Sequence, residues 1–120
     1  MQPASHPFEF EGVESPSGAR LFKLSGPMTL STLHDFQDAA LQETKALILD
    51  LSRVGYMNSA AIGCVIRIYR ACQDSKRGFA IMGLTSRIRA LFELTRIYGM
   101  LPCFENLTEA DKTVRSHRVS

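Results

Sequence analysis

The stretch of residues 46–69, ALILDLSRVGYMNSAAIGCVIRIY, constrains the fold of this chain more than any other part of the sequence. It opens with an apolar run over residues 46–49 that ends on Asp50, and such a run is typical of a buried strand. Asn58 and Ser59 then stand directly before an apolar segment that is too long for a strand, as residues at a helix start do. The stretch therefore predicts a strand, a loop and a helix, with the Ser59 hydroxyl at the helix N-terminus.

Composition limits the class of protein. The chain has 120 residues, which suits one domain with its own core. Hydrophobic residues make up 45% and charged residues 22%, which argues against both a disordered chain and a coiled coil. The formal net charge of +2 is too small to indicate direct nucleic-acid binding. No apolar run approaches the roughly 18 residues of a membrane span and no signal peptide is evident, so we expect a soluble cytoplasmic protein without membrane contact.

The cysteines and histidines do not predict a metal site or a catalytic centre. Cys64 and Cys72 would lie about 12 Å apart on one helix, which is too far for a disulfide. Together with Cys103 they show no metal-ligand spacing, and we expect small buried hydrophobic residues in a reducing compartment. The three histidines are isolated from one another, and none stands beside a candidate nucleophile. We therefore expect no metal site.

Hydrophobic periodicity and turn residues predict the remaining elements. Residues 8–13 alternate between apolar and polar, residues 19–25 follow after a turn cluster, and together they indicate an antiparallel hairpin. The other predicted elements, in chain order, are a helix from a Thr29 or Ser31 cap to about residue 42, a strand at 46–51, a helix at about 59–75, a strand at 79–82, a helix from a Ser86 cap to near residue 99, a short strand at 101–104 and a helix at about 109–117.

Strands that alternate with helices indicate an α/β fold. We expect one domain over residues 8–117, with a flexible lead-in at residues 1–7 and a tail at residues 118–120. Its sheet should be mixed, with four to five strands that begin with the hairpin, and about four helices should pack against it.

The helix that starts at Ser59 has two faces of different character. Its apolar face holds Ile62, Val65, Ile66, Tyr69 and Cys72, and is widened by Cys64, Ile68 and Ala71. Its outer face holds Ser59, Gly63, Arg67, Arg70 and Asp74. Glycine destabilises a helix interior by about 1 kcal/mol relative to alanine, so Gly63 on the outer face indicates close approach by another backbone. The alternative is that Ser59 only caps the helix and that Gly63 eases packing at its first turn.

Two stretches carry a resemblance to a known family. The segment YMNSAAIG at residues 56–63, preceded by LILDLSRV, is similar to the signature of the STAS family, in particular the bacterial anti-sigma-factor antagonists, which have D-L-S-x-V and then D-S-S/T-G-L-G at a helix start. The segment SRIRALFELTRIY at residues 86–98 resembles the family's V-x-R-x-L-x-x-x-G-L helix. The order of elements agrees, and the resemblance runs from about Phe8 to Arg115.

The resemblance implies a single STAS-like domain that acts as a protein-binding switch and not as an enzyme, with no cofactor of its own. In this family a partner that is both a serine kinase and an anti-sigma factor phosphorylates the serine of the motif, which makes Ser59 the implied phosphoacceptor. The unphosphorylated form would bind that kinase and free a sigma factor, with ATP bound by the kinase. The implied partner-binding residues are Asn58, Ser59, Ala60, Gly63 and Arg67. Asn58, Ala60 and Ala61 stand where the family has an aspartate, a hydroxyl residue and a glycine.

Other functions remain open at this point. A STAS scaffold in a larger assembly, or a transporter-accessory module, would bind a partner without being phosphorylated. Arg87, Arg89 and Arg96 suggest an anion site, although arginines spaced along a helix are usually just solvated. We expect a monomer or a weak homodimer.

Overall fold

Residues 7–118 are the part of the chain that the computed structural model describes, and they form a five-stranded sheet with helices on both faces. The strands lie in the order β1-β2-β3-β4-β5. Strands β1 and β2 form the predicted antiparallel hairpin, and β3, β4 and β5 continue the sheet parallel to β2. Their bounds are Glu9–Glu14, Arg20–Ser25, Leu47–Arg53, Phe79–Met82 and Cys103–Phe104.

Four α-helices cover the sheet in the described part of the chain, and a 3-10 turn at Leu30–Thr32 precedes the first of them. Helices α1 (His34–Gln42), α2 (Ser59–Asp74) and α3 (Ser86–Leu94) pack on one face, whereas α4 (Leu107–Arg118) packs on the other. The predicted α/β fold with a mixed sheet is therefore confirmed. Apart from Pro7 and Arg118, the predicted lead-in at residues 1–7 and the tail at 118–120 lie outside the described residues.

Strand β3 lies at the centre of the core. Leu47, Leu49 and Leu51 point into the cluster beneath α1, α2 and α3, whereas Ile48 belongs to the smaller cluster beneath α4. Successive side chains of a strand alternate between its two faces, and both faces are covered here. This is why residues 46–49 form a continuous apolar run instead of an alternating one.

Helix α4 is tied to the hairpin turn by a buried carboxylate. The Ser17 hydroxyl donates a hydrogen bond to Asp111 Oδ1 at 2.7 Å, and Asp111 is only 4% exposed. Burial alone would raise the pKa of Asp111, but hydrogen bonds from Ser15 and Ser17 outweigh it and hold the pKa below its usual value. Gly78 lies against the same helix, since a Cβ at this position would meet Val114 at 3.0 Å.

Two predicted helix caps are wrong. Helix α1 begins at His34, and neither Thr29 nor Ser31 caps it, because Ser31 belongs to the preceding 3-10 turn and Thr29 lies just before that turn. There the Thr32 hydroxyl donates to the Thr29 carbonyl at 3.0 Å, a local bond that competes with helix formation. Helix α3 is capped by Thr85, whose Oγ1 accepts the Ile88 amide at 3.3 Å, and Ser86 is its first residue.

One helix end also differs from prediction. Helix α3 ends at Leu94 instead of near residue 99, because Arg96 takes a left-handed conformation (φ 65°) and the Ile97 amide bonds back to the Phe92 carbonyl. Helix α2 ends at Asp74, close to its predicted end, and Lys76 takes a left-handed conformation (φ 60°) just after it.

The cysteines are free, and no described helix is long and apolar enough to cross a membrane. Cys64 and Cys72 are buried as predicted, and burial raises the pKa of Cys64 to about 11. Cys103 is only partly buried, in contrast to the prediction.

Candidate functional site

The candidate site lies where the loops after β2, β3 and β4 meet, at the carboxyl edge of the parallel strands. The Met28 amide donates to the Tyr56 carbonyl at 2.9 Å, and the Asn58 amide donates to the Met28 carbonyl at 3.2 Å. On the other side, the Thr85 hydroxyl donates to the Val54 carbonyl at 3.2 Å. The loop that leads to Ser59 is thus held by hydrogen bonds from both neighbouring loops.

Asn58, and not Ser59, caps helix α2. Asn58 has an extended backbone, and its Oδ1 accepts the Ala61 amide at 3.0 Å. Ser59 is the first residue of the helix, its side chain is exposed, and its hydroxyl makes no hydrogen bond to any residue of the described part. The alternative in which Ser59 merely caps the helix is therefore wrong.

The first turn of α2 has unused hydrogen-bond donors. The Ala61 amide is taken by Asn58, but the amides of Ser59 and Ala60 donate to no acceptor in residues 7–118. The first turn also contains no acidic residue. Free amides together with the helix dipole stabilise an added negative charge at such a position. This end of the helix can thus hold an anionic group attached to Ser59.

The buried face of α2 is rotated slightly from the predicted one. The fully or almost fully buried residues are Ala61, Cys64, Val65, Ile68 and Cys72, whereas Ile62, Ile66 and Tyr69 are only partly buried. The small residues Ala61 and Cys64 let the helix lie close to the sheet, and the larger side chains flank this contact. Ser59, Arg67, Arg70 and Asp74 are exposed, as predicted.

Gly63 lies on the open side of α2. A Cβ built at Gly63 has no other heavy atom within 4 Å outside its immediate backbone surroundings. The alternative that Gly63 eases packing inside the domain is therefore wrong, because a Cβ at this position would contact no neighbouring atom. The surface around Gly63 is free to be approached by another molecule.

The structure groups four of the five predicted partner-binding residues. Asn58, Ser59, Ala60 and Gly63 lie within the first turns of α2. Arg67 lies two turns beyond Ser59, about 12 Å along the helix axis, and its Nη1 donates to Gln37 Oε1 of α1. Arg67 is thus engaged within the domain, and its contact with a partner stays a prediction, as do the functions of the other four.

The three arginines near α3 do not assemble an anion site. Arg89 forms an ion pair with Glu93 at 3.2 Å and lies over the Tyr98 ring at 4.9 Å from its centroid. Arg96 follows the end of the helix in its left-handed conformation. Arg87 and Arg96 are both exposed without an ion pair in the described part of the chain.

An apolar surface lies beside the site, and the predicted site residues do not include it. Tyr56 is 51% exposed and Leu94 is 81% exposed, and both line a groove of about 410 Å³ between the loop before α2 and helix α3. On α3 the lining residues Arg87, Ala90, Leu91 and Leu94 are spaced as one helical stripe. That spacing is visible in the sequence and could have indicated an unpaired apolar face.

A second concavity, of about 510 Å³, lies on the part of the sheet that α4 leaves uncovered. Its charged residues alternate in sign from strand to strand. Lys23 of β2 lies in register with Glu11 of β1 on one side and with Asp50 of β3 on the other. The Asp50 carboxylate accepts the Ser52 amide at 2.9 Å. Residues 7–118 contain no group of three or more His, Cys, Asp or Glu side chains that could hold a metal ion.

The fold resembles those of several solved anti-sigma factor antagonists. One from Mycobacterium paratuberculosis is 21% identical, with a TM-score of 0.80 over 93% of this chain and 99% of the other. A putative one from Thermotoga maritima is 18% identical, with a TM-score of 0.76 over 88% and 94%. SpoIIAA in its unphosphorylated form is 14% identical, with a TM-score of 0.68 over 93% and 100%.

Sequence comparison identifies the family. No curated protein matches the chain. The family model described as the STAS domain matches residues 12–110, which extend from the second half of β1 to the first turn of α4 and include the candidate site. The chain therefore belongs to the STAS-domain family.

Proposed function

We propose that this chain is an anti-sigma-factor antagonist that acts as a protein-binding switch and not as an enzyme. In its unphosphorylated form it binds an anti-sigma factor serine kinase, which then releases a sigma factor. The kinase binds ATP, so this chain needs no cofactor. Such a switch operates in the bacterial cytoplasm, beside the transcription machinery that it regulates. Membership of the STAS-domain family and the fold shared with solved antagonists support the proposal.

The observation that carries the proposal is the unengaged hydroxyl of Ser59. Asn58 caps the helix, so Ser59 is exposed at the first turn without a hydrogen bond to the rest of the described chain. A kinase can reach this oxygen without breaking an internal contact. Ala60 and Ala61 follow, so Ser59 is the only hydroxyl residue in this turn.

Phosphorylation of Ser59 would weaken binding to the kinase without unfolding the domain. A phosphoryl group adds a charge of about −1.5 to −2 at neutral pH. The free amides of Ser59 and Ala60 can accept this charge at the helix N-terminus, so the domain stays folded. In a close-packed interface the same charge would have to lose water without a prepared counter-charge, which is strongly unfavourable. The complex with the kinase should therefore dissociate.

One observation favours the alternative of a STAS scaffold or transporter-accessory module that binds without phosphorylation. The family motif has an acidic residue before the serine, and this chain has the neutral Asn58. Asn58 keeps the capping function through its hydrogen bond to Ala61, so the fold of the site needs no acid there. The same surface could thus serve a partner that is not a kinase.

The test is phosphorylation by anti-sigma factor serine kinases purified from the source organism. The wild-type chain is incubated with each kinase and ATP, and its intact mass is measured. We expect one phosphoryl group on the wild type and on Ser86→Ala, and none on Ser59→Ala. Ser86 is the matched control, since it is also an exposed first residue of a helix. Modification of Ser59→Ala to the wild-type extent would overturn Ser59 as the phosphoacceptor, and a stable complex without modification would favour the alternative.

A further inference from the structure

The groove between the loop before α2 and helix α3 is an apolar surface feature near Ser59. Tyr56 and Met57 form one wall, Leu91 and Leu94 form the other, and the buried Ile88 lies at its base. Leu94 is 81% exposed, although a leucine of this size normally gains free energy by burial. A partner that covers Leu94 would recover this free energy.

The part of the groove on α3 is one continuous stripe. Arg87, Ala90, Leu91 and Leu94 follow the spacing i, i+3, i+4 and i+7, so they lie above one another along the helix. Ala90, in the middle, has a short side chain that lets another helix approach closely. No strand lines the groove, so an extended segment would find no sheet edge with which to pair. A helix is therefore the shape that this surface fits.

Charge specifies the partner further. Arg87 is the charged residue of the groove, and it is exposed without an ion pair in the described part of the chain. The first turn of α3 has no acidic residue that could neutralise it. A partner with a carboxylate beside its apolar residues would cover the apolar lining of the groove and pair with Arg87 at the same time.

We propose that this groove binds an amphipathic helix of the partner protein that carries leucine-like side chains and an acidic residue paired with Arg87. The proposal rests on the proposed function in one respect, namely that the partner bound here is the one that also contacts Ser59. Met57 lines the groove and Ser59 follows it by two residues, so one partner can cover both.

A second copy of this chain fits the groove less well. If two α3 stripes packed antiparallel, Arg87 would face the apolar end of the other stripe at Leu94, and if they packed parallel it would face another Arg87. Neither arrangement supplies a carboxylate from the stripe. Glu93, the nearest acidic residue of α3, is already paired with Arg89.

The test uses two stapled helical peptides as probes. Both carry leucines at i, i+3, i+4 and i+7, and the stripe is flanked at each end by glutamate in one peptide and by lysine in the other. Binding to the full chain is measured by fluorescence anisotropy. We expect the glutamate peptide to bind about tenfold more tightly than the lysine peptide, and Arg87→Glu to reverse this preference. Leu94→Ser should weaken both peptides about tenfold.

Arg70→Glu is the matched control, because Arg70 is an exposed arginine on α2 that does not line the groove. It should leave both affinities unchanged. Absence of saturable binding, equal affinities for the two peptides, or no effect of Leu94→Ser would each overturn the proposal. A wild-type dimer in sedimentation that Leu94→Ser converts to a monomer would overturn it in favour of a second copy. Because no kinase is present, these results are independent of whether Ser59 is phosphorylated.

Discussion

Asn58 and Ala61 are joined by a hydrogen bond of 3.0 Å from the Ala61 amide to the Asn58 side-chain oxygen. This bond closes the first turn of α2 and leaves Ser59, between them, with an unengaged hydroxyl. Capping and the proposed modification therefore fall on two adjacent residues. A substitution of Asn58 should therefore not have the same effect as a substitution of Ser59.

The first prediction concerns helix stability. Asn58→Ala removes the cap and should lower the free energy of unfolding by about 1 kcal/mol, or about 4 °C in the melting temperature for a chain of this size. Ser59→Ala should change the free energy of unfolding by less than about 0.5 kcal/mol, because the hydroxyl holds nothing in the described part of the chain. Thermal and urea unfolding followed by circular dichroism measure both. Equal losses for the two variants would show that the capping assignment is wrong.

A second prediction concerns Gly63. Gly63→Gln should raise the free energy of unfolding by up to about 1 kcal/mol, because glycine is a poor helix former and a Cβ here contacts no neighbouring atom. The same variant should bind the partner kinase more weakly, since the longer side chain holds the partner away from the helix. Urea unfolding and calorimetric titration with the kinase measure the two effects.

Gly78→Ala is the contrasting control for Gly63. Its Cβ would meet the backbone and side chain of Val114 at 3.0 Å, so this variant should be less stable than the wild type. If Gly63→Gln binds the kinase with wild-type affinity, the partner does not approach this face of α2.

The third prediction concerns the buried carboxylate of Asp111. Its hydrogen bonds lower the pKa in the folded state relative to the unfolded state. Its contribution to stability is therefore fully present above the unfolded pKa of about 3.9 and is lost as the pH falls through the lower folded pKa. Asp111→Asn should lower the free energy of unfolding by about 1–3 kcal/mol at neutral pH, and the difference from wild type should shrink below about pH 4.

Glu14→Gln provides the comparison for Asp111. Glu14 is an exposed carboxylate one residue before the same turn, and its substitution should change stability by less than about 0.5 kcal/mol. Urea unfolding across the acidic pH range measures the three proteins. A difference in the free energy of unfolding between wild type and Asp111→Asn that stays constant to the lowest pH would contradict a lowered pKa for Asp111.

Much of the fold was predictable because local signals and tertiary structure agree. The hairpin, β4 at Phe79–Met82 and the start of α2 at Ser59 follow from alternation, a short apolar run and a polar pair before an apolar helix. Each signal is local in sequence. The parallel pairing of β2 with β3 then brings Met28 next to Met57 and completes the site.

The features that were not predicted depend on tertiary contacts, which hydrophobic periodicity does not reveal. Hydrophobicity ranks Ile62 and Ile66 above Ala61 and Cys64, yet the smaller pair is buried because α2 lies close to the sheet. The apolar groove was not predicted because Tyr56 and Leu94 lie far apart in sequence and meet only through the packing of α3 beside the loop.

The last prediction concerns Ser59→Asp as a substitute for the phosphorylated form. A carboxylate near a helix N-terminus stabilises by about 0.3 to 1 kcal/mol, so the melting temperature should hold or rise slightly. Binding to the kinase should be lost, because the charge must be desolvated in the interface without a counter-charge. Arg67 does not supply one, since it lies about two turns along α2 and donates to Gln37.

Thr108→Asp is the matched control for this charge. Thr108 lies in the first turn of α4, a helix whose Asn106 side chain accepts the Glu109 amide as Asn58 accepts that of Ala61, and α4 packs on the opposite face of the sheet. The control adds the same charge in the first turn of a capped helix, one position later than Ser59, and it should bind the kinase as the wild type does. Loss of affinity in Ser59→Asp alone, with both variants folded, supports a switch at Ser59. Wild-type affinity of Ser59→Asp would mean that charge at this residue does not control the complex.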